Sequence, residues 1–357
     1  MPGAIKGRGA FSNPPGRFDQ LTQTPESDGW YEEAAPDKVA TVVLPEPARS
    51  IISRNDSPDI GFSQSINPYR GCAHGCIFCY ARPSHAYLGL SPGLDFETRL
   101  FYKADAAKLL EHELAAKNYR CSPIMLGANT DPYQPLEKSL KVTRSILEVL
   151  LRCRHPVSIT TKGALVARDV DLLAQLARDG LTRVMFSIPT LSNDLKRILE
   201  PRAAAPSACL KAMRVLADAG VTVGVLVAPI IPVITEHEIE SVLEAARENG
   251  ASLAGYTMLR LPWEVKDLFR EWLAEHFPER AAHVMSVVRA MRGERDNDPD
   301  FGTRMHATGP VAELIRQRFR LATRRLGYPA ERDFHLPTNL FQPPARTQGQ
   351  LSLEFPV

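Results

Sequence analysis

The sequence predicts an α/β protein built around an open, partial (β/α)6 barrel, with a helical C-terminal extension. Short apolar runs of strand length alternate along the chain with amphipathic patterns of helical period. Most of the runs are rich in β-branched residues, which is typical of parallel strands buried on both faces. Three helical patterns end at glycines, Gly180, Gly220 and Gly250. The six strand–helix units suit a partial barrel.

The first predicted strand, Phe62–Tyr69, leads directly into a group of cysteines. The later predicted strands are Ile124–Ala128, Val157–Thr161, Arg183–Ile188, Val221–Val227 and Ser252–Met258. The predicted helices between them are Leu136–Leu151, Ala164–Arg178, Asn193–Leu199 with Ser207–Ala219, and Glu236–Asn249. Reactive groups in such barrels lie at the carboxyl ends of the strands, so the cysteines are predicted to lie at the active end.

Composition divides the chain into four predicted regions. Residues 58–262 form the barrel, and residues 263–327 form a helical region that we expect to cover its open side. Residues 1–55 are rich in proline, glycine, serine and acidic residues and predict an irregular or disordered arm. Residues 328–357 are rich in proline and predict a flexible tail.

Bulk composition indicates a soluble, cytoplasmic protein with no membrane partner. The chain of 357 residues is 44% hydrophobic and 24% charged, with a net charge of +2. No apolar stretch approaches the roughly 18–20 residues that cross a bilayer, and the first residues lack the apolar core of a signal peptide. In a reducing cytosol, the six cysteines are not expected to form a disulfide framework.

Three cysteines, Cys72, Cys76 and Cys79, follow the spacing Cys-x-x-x-Cys-x-x-Cys. Closed iron–sulfur sites and structural zinc sites normally take four protein ligands. Three thiolates can instead hold a 4Fe–4S cluster by three corners and leave one iron open to a small molecule. The alternative is a zinc site completed by His74 or His85, although His74 lies awkwardly between the first two cysteines.

The cysteine motif, followed by Tyr80, resembles the signature of radical S-adenosylmethionine (radical SAM) enzymes, which have a partial TIM-like barrel. The chain is further similar to the spore photoproduct lyase-like branch, often labelled DNA repair photolyase, and within it to a bacterial family with the run Asn-Pro-Tyr-Arg-Gly-Cys. Besides Asn67–Cys72, the stretches that carry this likeness are Tyr80–Leu90, Gly127–Pro135, Thr160–Gly163, Phe186–Thr190, Leu199–Arg202 and Val227–Ile230.

The resemblance implies a 4Fe–4S cluster ligated by Cys72, Cys76 and Cys79, with SAM on the open iron. One-electron reduction then cleaves SAM to methionine and a 5′-deoxyadenosyl radical, which abstracts hydrogen from a substrate. It also implies a one-electron donor such as flavodoxin or ferredoxin. The chemistry is lyase-like or another hydrogen abstraction, and the sequence does not name the substrate.

The resemblance also implies a set of SAM contacts at the strand ends. Asp131 has an alternative role as a helix N-cap, and Arg202 has one in a structural ion pair. The implied contacts are Tyr80, Val227 and Pro229 for adenine, Asn129, Thr130 and Asp131 for the amino group, and Lys162, Ser187 and Arg202 for the carboxylate and ribose.

Spore photoproduct lyase reverses a thymine dimer lesion and uses a further cysteine as hydrogen donor. Cys121 stands just before the second predicted barrel strand, broadly where that donor occurs, so the resemblance makes it a candidate catalytic residue. The alternative is that Cys121 is a packing residue, as we expect for Cys153 and Cys209.

Two C-terminal features point to nucleic acid as a partner. Five arginines between Arg316 and Arg325 form a basic helix that is either a nucleic-acid footprint or a solvated face. Gln350–Phe355 resembles the peptide that binds the bacterial sliding clamp. The alternative substrates are a small molecule or a protein side chain. A third interpretation is a non-enzymatic zinc or iron–sulfur module that binds nucleic acid.

Overall fold

A seven-stranded sheet forms the centre of the protein in the computed structural model, which describes residues 5–19, 39–329 and 335–345. The strands are β1 (Val42–Pro45), β2 (Ile52–Arg54), β3 (Gln64–Ile66), β4 (Tyr69–Arg70), β5 (Arg99–Tyr102), β6 (Ile124–Leu126), β7 (Val157–Thr161), β8 (Thr182–Ser187), β9 (Thr222–Ile230) and β10 (Leu253–Met258). The large sheet has the order β2-β3-β6-β7-β8-β9-β10. Its last six strands run parallel, and β2 is antiparallel to β3 at the edge.

Eleven α-helices in the described ranges accompany the strands, and several of them pack on the large sheet. They are α1 (Asp95–Thr98), α2 (Ala106–Leu114), α3 (Glu137–Leu140), α4 (Val142–Arg152), α5 (Val170–Arg178), α6 (Asn193–Leu199), α7 (Pro206–Asp218), α8 (Ile239–Glu248), α9 (Val265–His276), α10 (Ala281–Ala290) and α11 (Gly309–Arg325). Short 3-10 helices span Arg82–Leu88, Ala164–Asp169 and Glu236–Glu238. The apolar faces of α4 and α5 pack Ile146, Leu150 and Leu173 into one core with the strands. This confirms the predicted partial (β/α)6 barrel with its helical extension.

Two predicted elements are divided in the structure. The predicted strand Phe62–Tyr69 is wrong beyond Ile66, because Pro68 has no N–H for a strand ladder, and β4 leaves to join β5 and β1 in a second sheet. The predicted helix Leu136–Leu151 is interrupted at Lys141, which has a φ of 54°. The buried Glu137 carboxylate accepts the N–H of Thr143 at 2.8 Å and so caps the new helix α4.

Parts of both terminal regions pack against the barrel, and the predicted division into arm, barrel, helical region and tail stays a prediction. Ala10 and Phe11 are buried, and residues 42–45 and 52–54 form β1 and β2. In the tail, the Phe341 ring lies 5.2 Å from that of His155, and the Gln342 N–H donates to the Cys153 carbonyl. The predicted clamp peptide, Gln350–Phe355, lies outside the described residues.

The C-terminal helices divide between two places. Helices α9 and α10 share an apolar cluster with Ile77 in the cysteine loop, whereas α11 packs along α8. Arg318 pairs with Glu240 at 2.6 Å, and Arg325 pairs with Glu244. The basic helix therefore lies on the outer layer with part of its charge neutralised, as the solvated-face alternative predicts. No helix in the described ranges is long and apolar enough to cross a membrane.

Candidate active site

A cavity of about 880 Å³ opens at the carboxyl edge of the parallel sheet. Its floor carries the three cysteines of the loop after β3 and β4. Its walls come from the strand ends and from residues 260–266 and 295–305. The residues of these walls include Asn129, Thr130, Asp131, Lys162, Ser187, Ala228, Pro229, Arg260, Trp263 and Arg304. The predicted placement of the cysteines at the strand ends is thus reproduced.

A buried ion pair fixes the cysteine loop. The side chains of Arg82 and Glu97 are both 0% exposed, and Nη2 of Arg82 lies 2.5 Å from Oε1 of Glu97. Nε of Arg82 donates to the Cys76 carbonyl at 2.9 Å. The same Glu97 carboxylate accepts the backbone N–H groups of Gly9 and Ala10 at 3.0 and 2.9 Å. The N-terminal residues therefore brace the loop that presents the thiols.

Burial favours the protonated form of two of these thiols, Cys76 and Cys79. Burial, and after it the Glu200 carboxylate, raises the pKa of Cys76 well above its ordinary value. Burial and the neighbouring Cys72 raise the pKa of Cys79 to about 11. A metal must bind these residues as thiolates, so its binding would release protons.

The donor set fits a 4Fe–4S cluster better than a single zinc ion. Tetrahedral Zn–S bonds of about 2.3 Å require sulfur atoms about 3.8 Å apart. Among residues 5–19, 39–329 and 335–345, no three His, Cys, Asp or Glu side chains are grouped to hold one metal ion. A cluster instead binds each thiolate to a different iron. The two proposed zinc histidines are also engaged, because His74 faces Asp131 at 3.4 Å and Nε2 of His85 lies 2.9 Å from the Arg99 carbonyl.

Two further buried ion pairs flank the cysteines. Nζ of Lys162 lies 2.8 Å from Oε2 of Glu200, and that oxygen lies 3.8 Å from Sγ of Cys76. His74 pairs with Asp131 beside Cys72. Burial lowers the pKa of His74, but Asp131 and then Cys72 outweigh burial and raise it to about 10. Charge at the floor of the cavity is therefore compensated within the protein.

Asp131 joins the ends of β6 and β7 and does not cap a helix. Its Oδ1 accepts from the Thr161 hydroxyl at 2.7 Å and from the Tyr133 N–H at 2.8 Å. Its Oδ2 accepts from the Lys162 N–H at 2.6 Å. Helix α3 begins only at Glu137, so the N-cap alternative is wrong. Both oxygen atoms of Asp131 therefore accept hydrogen bonds from the protein.

Most of the other predicted contact residues line the cavity. The Tyr80 hydroxyl donates to the Ala128 carbonyl, and its half-exposed ring faces the cavity. The hydroxyl of Thr130 donates to the Tyr69 carbonyl, and that of Ser187 donates to the Ala228 carbonyl. Asn129, Lys162 and Pro229 also line it, whereas Val227 is only 1% exposed and does not.

The structure does not bring Arg202 or Cys121 to the cavity. Nη1 of Arg202 donates to the Thr41 hydroxyl at 3.3 Å, and its backbone N–H donates to the His74 carbonyl. Cys121 precedes β6, whose other end lines the cavity from Gly127 onward. Neither residue is among those that line the cavity, so the carboxylate clamp and the hydrogen donor stay predictions.

Sequence reasoning missed Glu200, Arg260 and Trp263. Glu200 is 3% exposed and holds Lys162, although Arg202 was the residue expected to act from this loop. Arg260 lies two residues beyond β10, which is the position at which reactive groups of such barrels are found. That rule, applied to the last strand as to the others, would have identified it.

Comparison with known proteins identifies the family. The model of the radical SAM superfamily matches residues 66–246, which is half of the chain. Uncharacterized proteins of Mycobacterium bovis and Mycobacterium tuberculosis are 35% identical over 233 residues, covering 64% of this chain and 68% of each relative. One of Methanocaldococcus jannaschii is 28% identical over 178 residues, covering 50% of this chain and 64% of the relative.

Solved structures of spore photoproduct lyase share the fold. The enzyme complexed with dinucleoside spore photoproduct matches with a TM-score of 0.56 at 17% identity, over 80% of this chain and 79% of that one. A mutant with bound AdoMet and the same dinucleoside matches with a TM-score of 0.55 at 18% identity, over the same shares. The chain thus belongs to the radical SAM superfamily: it is an enzyme whose cofactors are a 4Fe–4S cluster and S-adenosylmethionine.

Proposed function

We propose that Cys72, Cys76 and Cys79 hold the cluster, that SAM binds in the cavity beside them, and that the substrate is a nucleotide unit of a nucleic acid. When bound and reduced, the cluster supplies the electron that cleaves SAM to methionine and a 5′-deoxyadenosyl radical. The observation that carries this proposal is the shared cavity, which joins the three thiols to the ends of strands that are distant in sequence.

The chain's own residues would orient SAM through charge and shape. Lys162 keeps its positive charge, because Glu200 outweighs the effect of burial and raises the lysine pKa. Its Nζ also lies within 3.4 Å of the Ser187 and Ala228 carbonyls, which fix it on the cavity wall. In this position it can attract the SAM carboxylate. Pro229 and the Tyr80 ring offer flat surfaces for adenine, while Asn129 and Thr130 remain proposed contacts of the amino group.

Apolar side chains would protect the radical. Phe78, Met125, Leu226, Met258 and Leu261 line the cavity together with the cysteines. Their packing would exclude solvent and other solutes from the reacting groups, which limits side reactions of a reactive intermediate. Radical SAM enzymes need a one-electron reductant, and we propose flavodoxin or ferredoxin for that role.

An aromatic ring that SAM is not proposed to contact supports a nucleotide as substrate. Trp263 lines the cavity and is 60% exposed. Such a ring can stack on an unpaired base, and each base stack contributes about 1–3 kcal/mol. The sliding clamp stays a proposed partner through Gln350–Phe355, and a clamp pull-down with and without residues 348–357 tests it.

A small-molecule substrate is the second candidate, because residues from 295 to 305 add a further wall to the cavity. A volume of about 880 Å³ is typical of small-ligand pockets. Single-stranded oligonucleotides distinguish the two. Saturable binding that weakens when Trp263 is changed to Ala supports the nucleotide, and no binding of any oligonucleotide favours the small molecule.

Anaerobic reconstitution followed by dithionite and SAM tests the reaction. The wild-type protein is expected to form 5′-deoxyadenosine, and Cys76→Ala is expected to form none. Cys153→Ala is the matched control, because Cys153 is also buried but lies outside the cavity. A protein with full iron and sulfide content that leaves SAM intact would contradict the proposal.

A further inference from the structure

Two partly buried cationic side chains that line the cavity are neutralised by carboxylates. Lys162 pairs with Glu200 at 2.8 Å, and Arg304 pairs with Asp59 at 2.5 Å. Arg260 differs from them. Its side chain lines the cavity, yet within the described part of the chain it makes no ion pair.

The hydrogen bonds of the Arg260 guanidinium are also incomplete. Among the described residues, its buried Nε has no hydrogen-bond partner, and Nη1 has the thioether sulfur of Met305 as its one partner, at 3.0 Å. A thioether is a weak acceptor, whereas a guanidinium offers five N–H donors. The described protein atoms therefore leave most of these donors unused.

An unpaired guanidinium in this position is energetically unfavourable without a ligand. Burial, and after it the repulsion of Arg304, lowers the pKa of Arg260. Removing a charge from water is costly unless an opposite charge and hydrogen bonds compensate it. The Lys162–Glu200 pair shows that the same cavity can compensate a cation with a carboxylate of the protein.

We propose that Arg260 binds an oxyanion of a ligand in the cavity, namely a carboxylate or phosphate group. A guanidinium suits both groups because its N–H donors match two oxygen atoms at once. The oxyanion comes either from the SAM carboxylate or from a phosphate of the substrate. This inference rests on the proposed function, since it assigns a contact within the same cavity.

The surroundings of Arg260 favour the substrate as the source. Arg260 lies with Trp263, Arg304 and Met305 on the wall formed by residues 260–266 and 295–305, whereas Lys162 lies beside the cysteines. SAM has one carboxylate, which the proposed function assigns to Lys162. An aromatic ring and a cation on one wall match the base and the phosphate of a nucleotide.

Calorimetric titration of the reconstituted protein tests the assignment with four probes: SAM, thymidine 5′-monophosphate, thymidine and inorganic phosphate. Arg260→Met is expected to bind the oxyanion-bearing probe about 10- to 100-fold more weakly, as expected for lost hydrogen bonds to a charged group. Arg260→Lys should retain part of the affinity, because it keeps the charge but not the planar donor set. Thymidine should bind both variants as it binds the wild type.

Arg325→Met is the control, because Arg325 pairs with Glu244 on the outer layer and does not line the cavity. A loss for SAM assigns the carboxylate, and a loss for the monophosphate or phosphate assigns the substrate. If Arg260→Met binds every anionic probe as Arg325→Met does, the inference is overturned. Formation of 5′-deoxyadenosine by the wild type reports separately on the proposed function, and iron content with thermal unfolding identifies a variant that fails to fold.

Discussion

The floor and the mouth of the cavity are built differently. At the floor, three buried cations beside the cysteine loop pair with carboxylates, as Arg82–Glu97, Lys162–Glu200 and His74–Asp131. At the mouth, Tyr80 and Trp263 expose half or more of their surface, and Arg260 lacks a carboxylate partner among the described residues.

The difference indicates which part holds a permanent group and which part exchanges ligands. A compensated floor can keep its geometry while a charged cluster is bound, because its own charges already have fixed partners. Unpaired groups at the mouth cost stability in the free protein and recover it only when a ligand supplies the missing partner. The comparison therefore predicts opposite responses to mutation in the two regions.

The largest expected effect is on stability at the floor. Arg82→Met leaves the fully buried Glu97 without its partner, so we expect the free energy of unfolding to fall by about 3–5 kcal/mol. Urea unfolding measures this loss of free energy. Arg260→Met should change stability little or increase it, because no ion pair is lost. Equal losses in both variants would contradict the distinction between the two regions.

Two buried histidines have pKa values that are shifted in opposite directions. His74, paired with Asp131, has its pKa raised to about 10, whereas burial lowers the pKa of His155 to about 4. As the pH falls, the unfolded chain therefore protonates His155 at a higher pH than the folded protein does. Stability from neutral His155 is complete above about pH 6.5 and is lost as pH falls towards 4, by up to about 1.4 kcal/mol per pH unit.

Urea unfolding between pH 7 and pH 4 checks this expectation. His155→Phe should remove that part of the slope, since it keeps the ring packing with Tyr119 and Phe341 but carries no titrating group. An unchanged slope in this variant would show that His155 does not titrate in the expected range.

Charge at the floor should also set the reduction potential of the cluster. Glu200→Gln leaves Lys162 uncompensated and should raise the potential, because added positive charge favours reduction. Lys162→Gln should lower it. Each shift is expected to be on the order of 100 mV, from a unit charge a few ångströms away at an effective dielectric constant of about 20. Redox titration followed by electron paramagnetic resonance measures both. Shifts of the same sign would contradict an electrostatic origin.

The smallest effect is expected on the outer layer. Arg325 and Glu244 are 62% and 45% exposed, so their ion pair is screened by solvent. Arg325→Ala should change the free energy of unfolding by less than about 1 kcal/mol, measured by urea unfolding. A loss of unfolding free energy as large as that expected for Arg82→Met would contradict this, because a solvent-screened surface pair cannot contribute so much to stability.

Local patterns in the sequence predict the strand ends and the cysteine loop, but not the partners that fix them. The alternation of apolar runs and helices places Lys162 and Ser187 at the cavity because parallel strands end at one edge. The contact between Gly9 and Glu97 joins residues 88 positions apart, which no local pattern encodes. The loop holding Glu200 and Arg202 has no periodicity, so the sequence could not indicate that Glu200 faces inward and Arg202 faces Thr41.

Mössbauer spectroscopy of protein reconstituted with iron-57 tests the central claim most directly. The account predicts a 4Fe–4S cluster in which one iron site alone changes its spectrum when SAM is added. Cys153→Ala should give the same spectra, and Cys76→Ala should lose the cluster. A cluster whose iron sites are all unaffected by SAM, or a protein that retains zinc and no iron, would contradict an open corner held by three cysteines.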